Sequence, residues 1–228
     1  MSLSLFEHWT VRVSSTSLQA EKMGRGWKPQ RLENNTQPTS REQVSSDLSH
    51  WCAHHLKAKM KVGILLQPSL SLVGTVGAVS SWLSNEEKKN LAQYVLQNKL
   101  GVKAPYWQAQ VDQVSLTHPL LWCAVPATLQ DDLKPFSSRI QRLQPVCLYA
   151  LAGLEKKYTG WLVCSDEERV QTLLLKEGYV ISARNWAFED QDKPILFLQR
   201  HVTLCQLDSS YLSLPKHIER QCTEVQPS

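Results

Sequence analysis

His50 and His54 stand four residues apart, a spacing that sets two imidazoles on one side of a helix, where they could share a metal ion. Cys52 lies two residues from His54, which is as near as the sequence brings a thiol to a base. Neither pairing makes a site. The helix that carries them turns Leu48, Trp51, Cys52 and Leu56 inward, leaving both histidines on or beside the wet face, and no Glu holds the position that an HExxH metal site needs. A catalytic Cys also needs a partnered base, and nearness in sequence supplies none. Glu189, Asp190 and Asp192 gather just before Pro194, where carboxylates favourably meet a helix amino terminus, and that is sufficient reason for them. A two-metal nuclease needs carboxylates at the ends of central strands, and the first strand, WTVRVSS, has none. Lys22, Arg25, Lys28 and Arg31 with Trp27 form the most basic patch, which could follow a nucleic-acid backbone. The plainer reading is positive charge protecting an edge hairpin, so no nucleic-acid partner is expected. No catalytic residue, cofactor or metal is therefore assigned.

The chain that must position these groups has 228 residues, of which 42% are hydrophobic, enough to bury a core. Lys and Arg number 25 against 21 Asp and Glu, and a net charge of +4 spread along the sequence permits an acidic partner without demanding one. The start, MSLSLFEHW, has no basic segment followed by an apolar run, and no stretch approaches a membrane span, so a cytosolic location is expected. The cysteines at 52, 123, 147, 164, 205 and 222 form no CxxC pair and sit mostly in apolar runs, as buried thiols of a reducing compartment do. Several of the eight tryptophans neighbour polar residues, as at His8-Trp9, Gly26-Trp27, Tyr106-Trp107 and Asn185-Trp186. Most belong in the core, and one or two left partly exposed would anchor a peptide.

Strands are expected at His8 to Ser14, Ser17 to Met23 and Trp27 to Glu33, a meander with MGRG as a tight turn. The polar NNTQPTS then leads to a helix from about Arg41 to Lys59, with Ser40 and Gln43 at capping-box spacing. Val62 to Leu66 lacks alternation and reads as a strand covered on both faces. SNEE is a second capping box, opening a helix from Ser84 to about Lys99 that Gly101 can end. YWQAQVDQV alternates and should pair with LLWCAVP as a hairpin. A helical stretch holding Leu129, Leu133, Phe136, Ile140 and Leu143 follows, kinked or split at Pro135. PVCLYAL, Pro145 to Leu151, reads as a buried strand. Strands at Gly160 to Cys164, Arg169 to Leu175 and Tyr179 to Trp186, a helix opening at Pro194 and a strand from Tyr211 repeat the opening order, and a polar tail from Lys216 closes the chain.

Three antiparallel strands, a helix and a parallel strand, used twice with a helix-and-hairpin insert after the first copy, resemble the actin-like ATPase architecture. The insert position, with the pattern of LLWCAVPATLQDDLKPFSSRIQRLQPVCLYAL, is similar to the bacterial actin-like assembly proteins of type IV pili (the PilM type) and type II secretion (the GspL type). The resemblance implies an α/β fold of two ribonuclease-H-like, actin-like lobes. The first would span 1–150, with its inserted subdomain at about 77–150, and a reduced second lobe would span 151–228. It also implies where chemistry would sit. A working actin-like nucleotide site resembles D-x-G-x-x at the hairpin opening each half, and here those hairpins are VRVSSTSLQ and WLVCSDEERVQ, without the Asp and Gly in place. Ser14, Ser15 and Thr16 could offer hydroxyls to a phosphate, but Ser165, Asp166, Glu167 and Glu168 put negative charge where it would rest. The implied function is a non-catalytic adaptor for a partner protein, such as the short cytoplasmic tail of a bitopic inner-membrane pilus or secretion component, with no cofactor. The alternative is a divergent actin-like ATPase or phosphotransferase. By the same resemblance the partner would use Leu65 to Val76 and the hairpin from Trp107 to Val114, with Leu70, Leu72, Trp107, Ala109 and Val111 as contacts.

Overall fold

The computed structural model describes residues 8–23, 31–57, 60–77, 83–113 and 118–187. Three strands open the chain, β1 (His8–Val13), β2 (Ser17–Met23) and β3 (Arg31–Pro38), joined antiparallel in sequence order. β3 takes in NNTQP, which was expected to be a connection. It is an outer strand whose Asn35 and Thr36 are exposed, and Pro38 stands at its end, where a missing N–H is tolerated. Arg25, Trp27 and Lys28 of the basic patch lie outside the described residues, as do the helix expected at Pro194 and the strand expected from Tyr211.

Helix α1 (Val44–His55) follows, burying Val44, Leu48, Trp51 and Cys52. The expected capping box does not form. Gln43 is the N-cap without a side-chain cap bond, and the Ser40 hydroxyl instead meets Gln43 Oε1 at 3.3 Å. The chain then enters β4 (Lys61–Leu66), which lies parallel to β1 on one side and to β8 (Ile140–Pro145) on the other. This central place explains why Ile64, Leu65 and Leu66 are all buried. The mixed sheet runs β3-β2-β1-β4-β8.

Between β4 and β8 the chain builds a second sheet, ordered β5-β7-β6, from β5 (Leu72–Val76), β6 (Trp107–Gln113) and β7 (Leu120–Pro126). Helix α2 (Asn85–Leu100) covers one face of it, packing Ala92 and Leu96 on Leu72, Ala109, Leu120, Trp122 and Ala124. Its capping box is complete: Glu87 N–H donates to Ser84 Oγ at 3.2 Å and Ser84 N–H to Glu87 Oε2 at 2.7 Å. Those bonds, the backbone one foremost, hold the Glu87 carboxyl below its ordinary range. Gly101 ends the helix at φ 55°, a value that costs glycine nothing. Gly74 answers a different need, because a Cβ there would come within 2.3 Å of the Trp122 ring lying across the strand pair.

Two sequence expectations fail in the segment after β7. Helix α3 (Ala127–Leu133) stops, and a 3-10 turn, Lys134–Phe136, takes in Pro135 as expected, but Ile140 and Leu143 lie in β8 and not on a helix. PVCLYAL is helix α4 (Val146–Ala152), with Pro145 as its N-cap. An apolar run this short does not distinguish a buried strand from a buried helical turn. Here β8 has already filled the place beside β4, and the helical turn buries Val146, Cys147 and Leu148 while leaving Tyr149 exposed. A third sheet, ordered β11-β10-β9, is a meander of β9 (Gly160–Ser165), β10 (Arg169–Lys176) and β11 (Tyr179–Ala187). Its core joins α4 to Leu121 and Cys123 on the side of β7 away from α2.

Candidate functional site

The β1–β2 turn and the β9–β10 turn face each other, and their side chains meet. In the first, Ser14 Oγ accepts from the backbone N–H groups of Thr16 and Ser17 at 3.2 and 2.9 Å, which holds the turn closed. Ser15 is 4% exposed; its N–H donates to Ser69 Oγ at 3.2 Å and its hydroxyl donates to Glu168 Oε1 at 2.5 Å. Thr16 Oγ1 donates to Glu167 Oε2 at 3.3 Å. In the second turn Asp166 Oδ1 accepts from Glu168 N–H and Arg169 N–H, both at 2.9 Å. Its Oδ2 accepts the Ser69 N–H at 2.6 Å. The half-exposed Arg41 completes the set, its Nη2 2.7 Å from Glu168 Oε2 and 3.4 Å from the Ser69 carbonyl. Each carboxylate is thus already engaged by a donor of this chain.

The same seam continues inward. Gln171, fully buried, donates from Nε2 to the Ser71 carbonyl at 3.0 Å, and Asn185 on β11 pairs with both backbone groups of Val73, donating to its carbonyl at 2.6 Å and accepting its N–H at 3.0 Å. Asn185 therefore caps the outer edge of β5 as a neighbouring strand would. Gln93 on α2 does the same for β6, accepting the Ala109 N–H at 3.0 Å and donating to the Trp107 carbonyl at 3.3 Å.

The candidate groups of the sequence fall apart in space. His50 and His54 are exposed, each ring Nδ1–H donating at 3.3 Å to the carbonyl four residues back. Cys52 is fully buried, and burial pushes its thiol up to about 12. Of the expected partner contacts, Leu72 and Ala109 are buried under α2, with Trp107 and Val111 partly buried in the same cluster, while Leu70 packs into the core of the first sheet. Their apolar side chains pack within these two clusters. What sequence reasoning missed are the bridging groups Arg41, Ser69, Gln93, Gln171 and Asn185. A lone amide among apolar residues, such as Gln171 in RVQTLLL, gives no signal until its partner strand is beside it.

No protein-family model matches the sequence, and no curated protein matches it. Solved structures do. The chain is similar to the cytoplasmic domain of EpsL, an inner membrane component of the type II secretion system of Vibrio cholerae, at 10% identity and TM-score 0.52, over 92% of this chain and 78% of that one. It is similar to a Bacteroides thetaiotaomicron protein with actin-like ATPase fold, at 8% identity and TM-score 0.60, over 89% and 78%. It is also similar to the PilM-PilN type IV pilus biogenesis complex, at 11% identity and TM-score 0.54, over 88% of this chain and 66% of that one. The fold is that of the actin-like ATPases. In this actin-like frame the facing turns stand at the hairpins expected to hold phosphate, and hydrogen bonds between Ser15, Thr16, Glu167 and Glu168 span the gap. Unit charges about 4 Å apart interact by roughly 1 kcal/mol in water and about 4 kcal/mol near a protein surface, so an incoming phosphate would meet repulsion as well as lose its donors.

Proposed function

We propose that this chain is a non-catalytic, actin-like adaptor that binds a partner protein and carries no nucleotide. The observation behind the reading is the cleft itself: Glu168 takes the Ser15 hydroxyl and the Arg41 guanidinium, the donors a phosphate would need. Two of the structural neighbours come from secretion and pilus machinery, which favours a partner of that kind: the short cytoplasmic tail of a bitopic inner-membrane component, with the protein held at the inner membrane through it. Among the described residues no helix is long and apolar enough to cross a membrane.

The test is thermal. A ligand at a hundred times its dissociation constant stabilises by about 2.7 kcal/mol, which for a chain of this size is a shift of roughly 5 to 10 °C. Millimolar ATP with magnesium should leave Tm unchanged. A clear rise would overturn the adaptor reading in favour of a divergent ATPase or phosphotransferase.

A further inference from the structure

Away from the closed cleft, a cavity of about 530 Å³ opens between the last turn of α2 and strand β11. Leu72, Leu96, Leu100 and Trp122 give it an apolar side, and Lys99, Arg169 and Arg184 bring three cations to it. No carboxylate lines it among the described residues. Lys99 sits in the last turn of α2, where a cation meets the helix dipole favourably, but that reason does not extend to the two arginines, which come from β10 and β11. Burial, and then the charge of Arg41, draw Arg169 below the usual guanidinium range, with Glu168 and Asp166 opposing. Lys99 and Arg184 have no carboxylate within ion-pair distance among the described residues; Lys99 Nζ instead lies 5.5 Å from the Trp122 ring centre, and the Arg184 guanidinium 5.8 Å from that of Trp186. Trp122 is 1% exposed and its Nε1 has no acceptor among the described residues. Arg169 thus feels Glu168 and Asp166, whereas Lys99 and Arg184 face an apolar pocket with no carboxylate among its described lining residues.

We propose that this cavity receives an acidic peptide segment of a partner protein, one in which Asp or Glu stands next to a large apolar residue. The inference rests on the adaptor reading and names the chemistry of its partner. The carboxylate would satisfy Lys99 and Arg184 while the neighbouring side chain enters beside Leu100, the partly exposed leucine of the lining, a pairing of apolar anchor and charge that suits short-motif recognition. Single-stranded nucleic acid is a poorer fit, because it is held by stacking bases on open aromatic faces, and here Lys99 and Arg184 lie over the two indoles.

The experiment uses the full chain, immobilised, and a phage library of randomised heptapeptides. Enriched sequences are made with a fluorescein label and titrated by anisotropy against the wild-type chain, the Lys99→Gln/Arg184→Gln double variant, Lys99→Gln alone and the remote control Lys134→Gln. Acidic peptides with an adjacent Leu, Ile, Phe or Trp should be enriched. Their affinity should fall at least tenfold in the double variant, fall in Lys99→Gln, hold in Lys134→Gln and weaken with salt, with melting temperatures unchanged. Lys99→Gln decides the matter if the double variant does not fold. Affinity indifferent to Lys99 and Arg184 would overturn the cavity and leave the adaptor standing. Failure to enrich any acidic sequence, or displacement of the peptides by a labelled dT12 oligonucleotide through the same cations, would also overturn it. A melting shift with ATP strikes the adaptor reading separately.

Discussion

Cys52 and Trp51 are adjacent on α1 and both buried, and they make different predictions. With the Cys52 thiol pushed up to about 12 from an ordinary 9.0, scarcely any thiolate exists at pH 8 in the folded chain. Iodoacetamide should therefore modify Cys52 orders of magnitude more slowly in native protein than in urea, as peptide mass spectrometry can read; equal rates would contradict the buried thiol. The sign for stability follows. A group whose folded pKa is raised stabilises fully below its unfolded value, so this contribution is complete below about pH 9 and is lost as pH climbs towards 12. Trp51 packs edge-on against Trp9 at 5.1 Å and stacks on His55 at 4.7 Å, whereas His54 is exposed. Trp51→Ala should cost about 3 to 5 kcal/mol in urea unfolding and His54→Ala within about 0.5 kcal/mol of nothing. Comparable losses would mean that His54 has a partner the packing does not reveal. The inward face of α1 was legible in the sequence because Leu48, Trp51, Cys52 and Leu56 repeat at helical spacing.

At the scale of elements, the sheet β5-β7-β6 has both outer edges closed by side-chain amides, Asn185 on one and Gln93 on the other. Unpaired edges invite other strands, and an amide that supplies one donor and one acceptor blocks that pairing locally. Gln93→Leu keeps the size but strands the Ala109 N–H and the Trp107 carbonyl, so it should cost about 1 to 3 kcal/mol and speed hydrogen exchange at Ala109. Unchanged exchange would show that the clamp is idle. Gly74→Ala should be at least as damaging, because its Cβ meets the Trp122 ring at 2.3 Å and overpacking typically costs about 1 to 3 kcal/mol. The alternation of YWQAQVDQV and the SNEE box placed β6 and α2 correctly in advance, since both are local signals. PVCLYAL misled because a seven-residue apolar run carries no period long enough to choose between strand and helix.

Across the whole molecule, residues 158–187 are tied to the first sheet and to β5 through Asp166, Glu167, Glu168, Gln171 and Asn185. Glu168 takes Ser15 and Arg41 together. Its replacement by Ala should lower stability by about 1 to 2 kcal/mol, mostly through the orphaned Ser15 hydroxyl, since half-exposed ion pairs such as the one with Arg41 contribute little. Limited proteolysis should then cut the 165–168 turn sooner in Glu168→Ala than in the wild type. An unchanged digestion rate would mean that the deeper amides hold the seam alone.

The sequence by itself determined the order of the opening meander and the bounds of its second strand, though not those of the third, together with the α2 cap, the β6–β7 hairpin and the missing Asp and Gly of the two phosphate turns, because each depends on residues within a few positions of one another. Only the tertiary structure decided what fills the cleft. Ser15 and Glu168 are 153 residues apart, and nothing in the sequence links a serine in a turn to a glutamate in another until two sheets bring them within 2.5 Å. The cavity near β11 has the same origin: Lys99 lies at the end of a helix and Arg184 within a strand, and only folding brings both to one cavity. Hydrogen bonds and ion pairs act over a few ångströms of space, whatever the distance along the chain, so the groups that define this surface are legible only after the fold has formed.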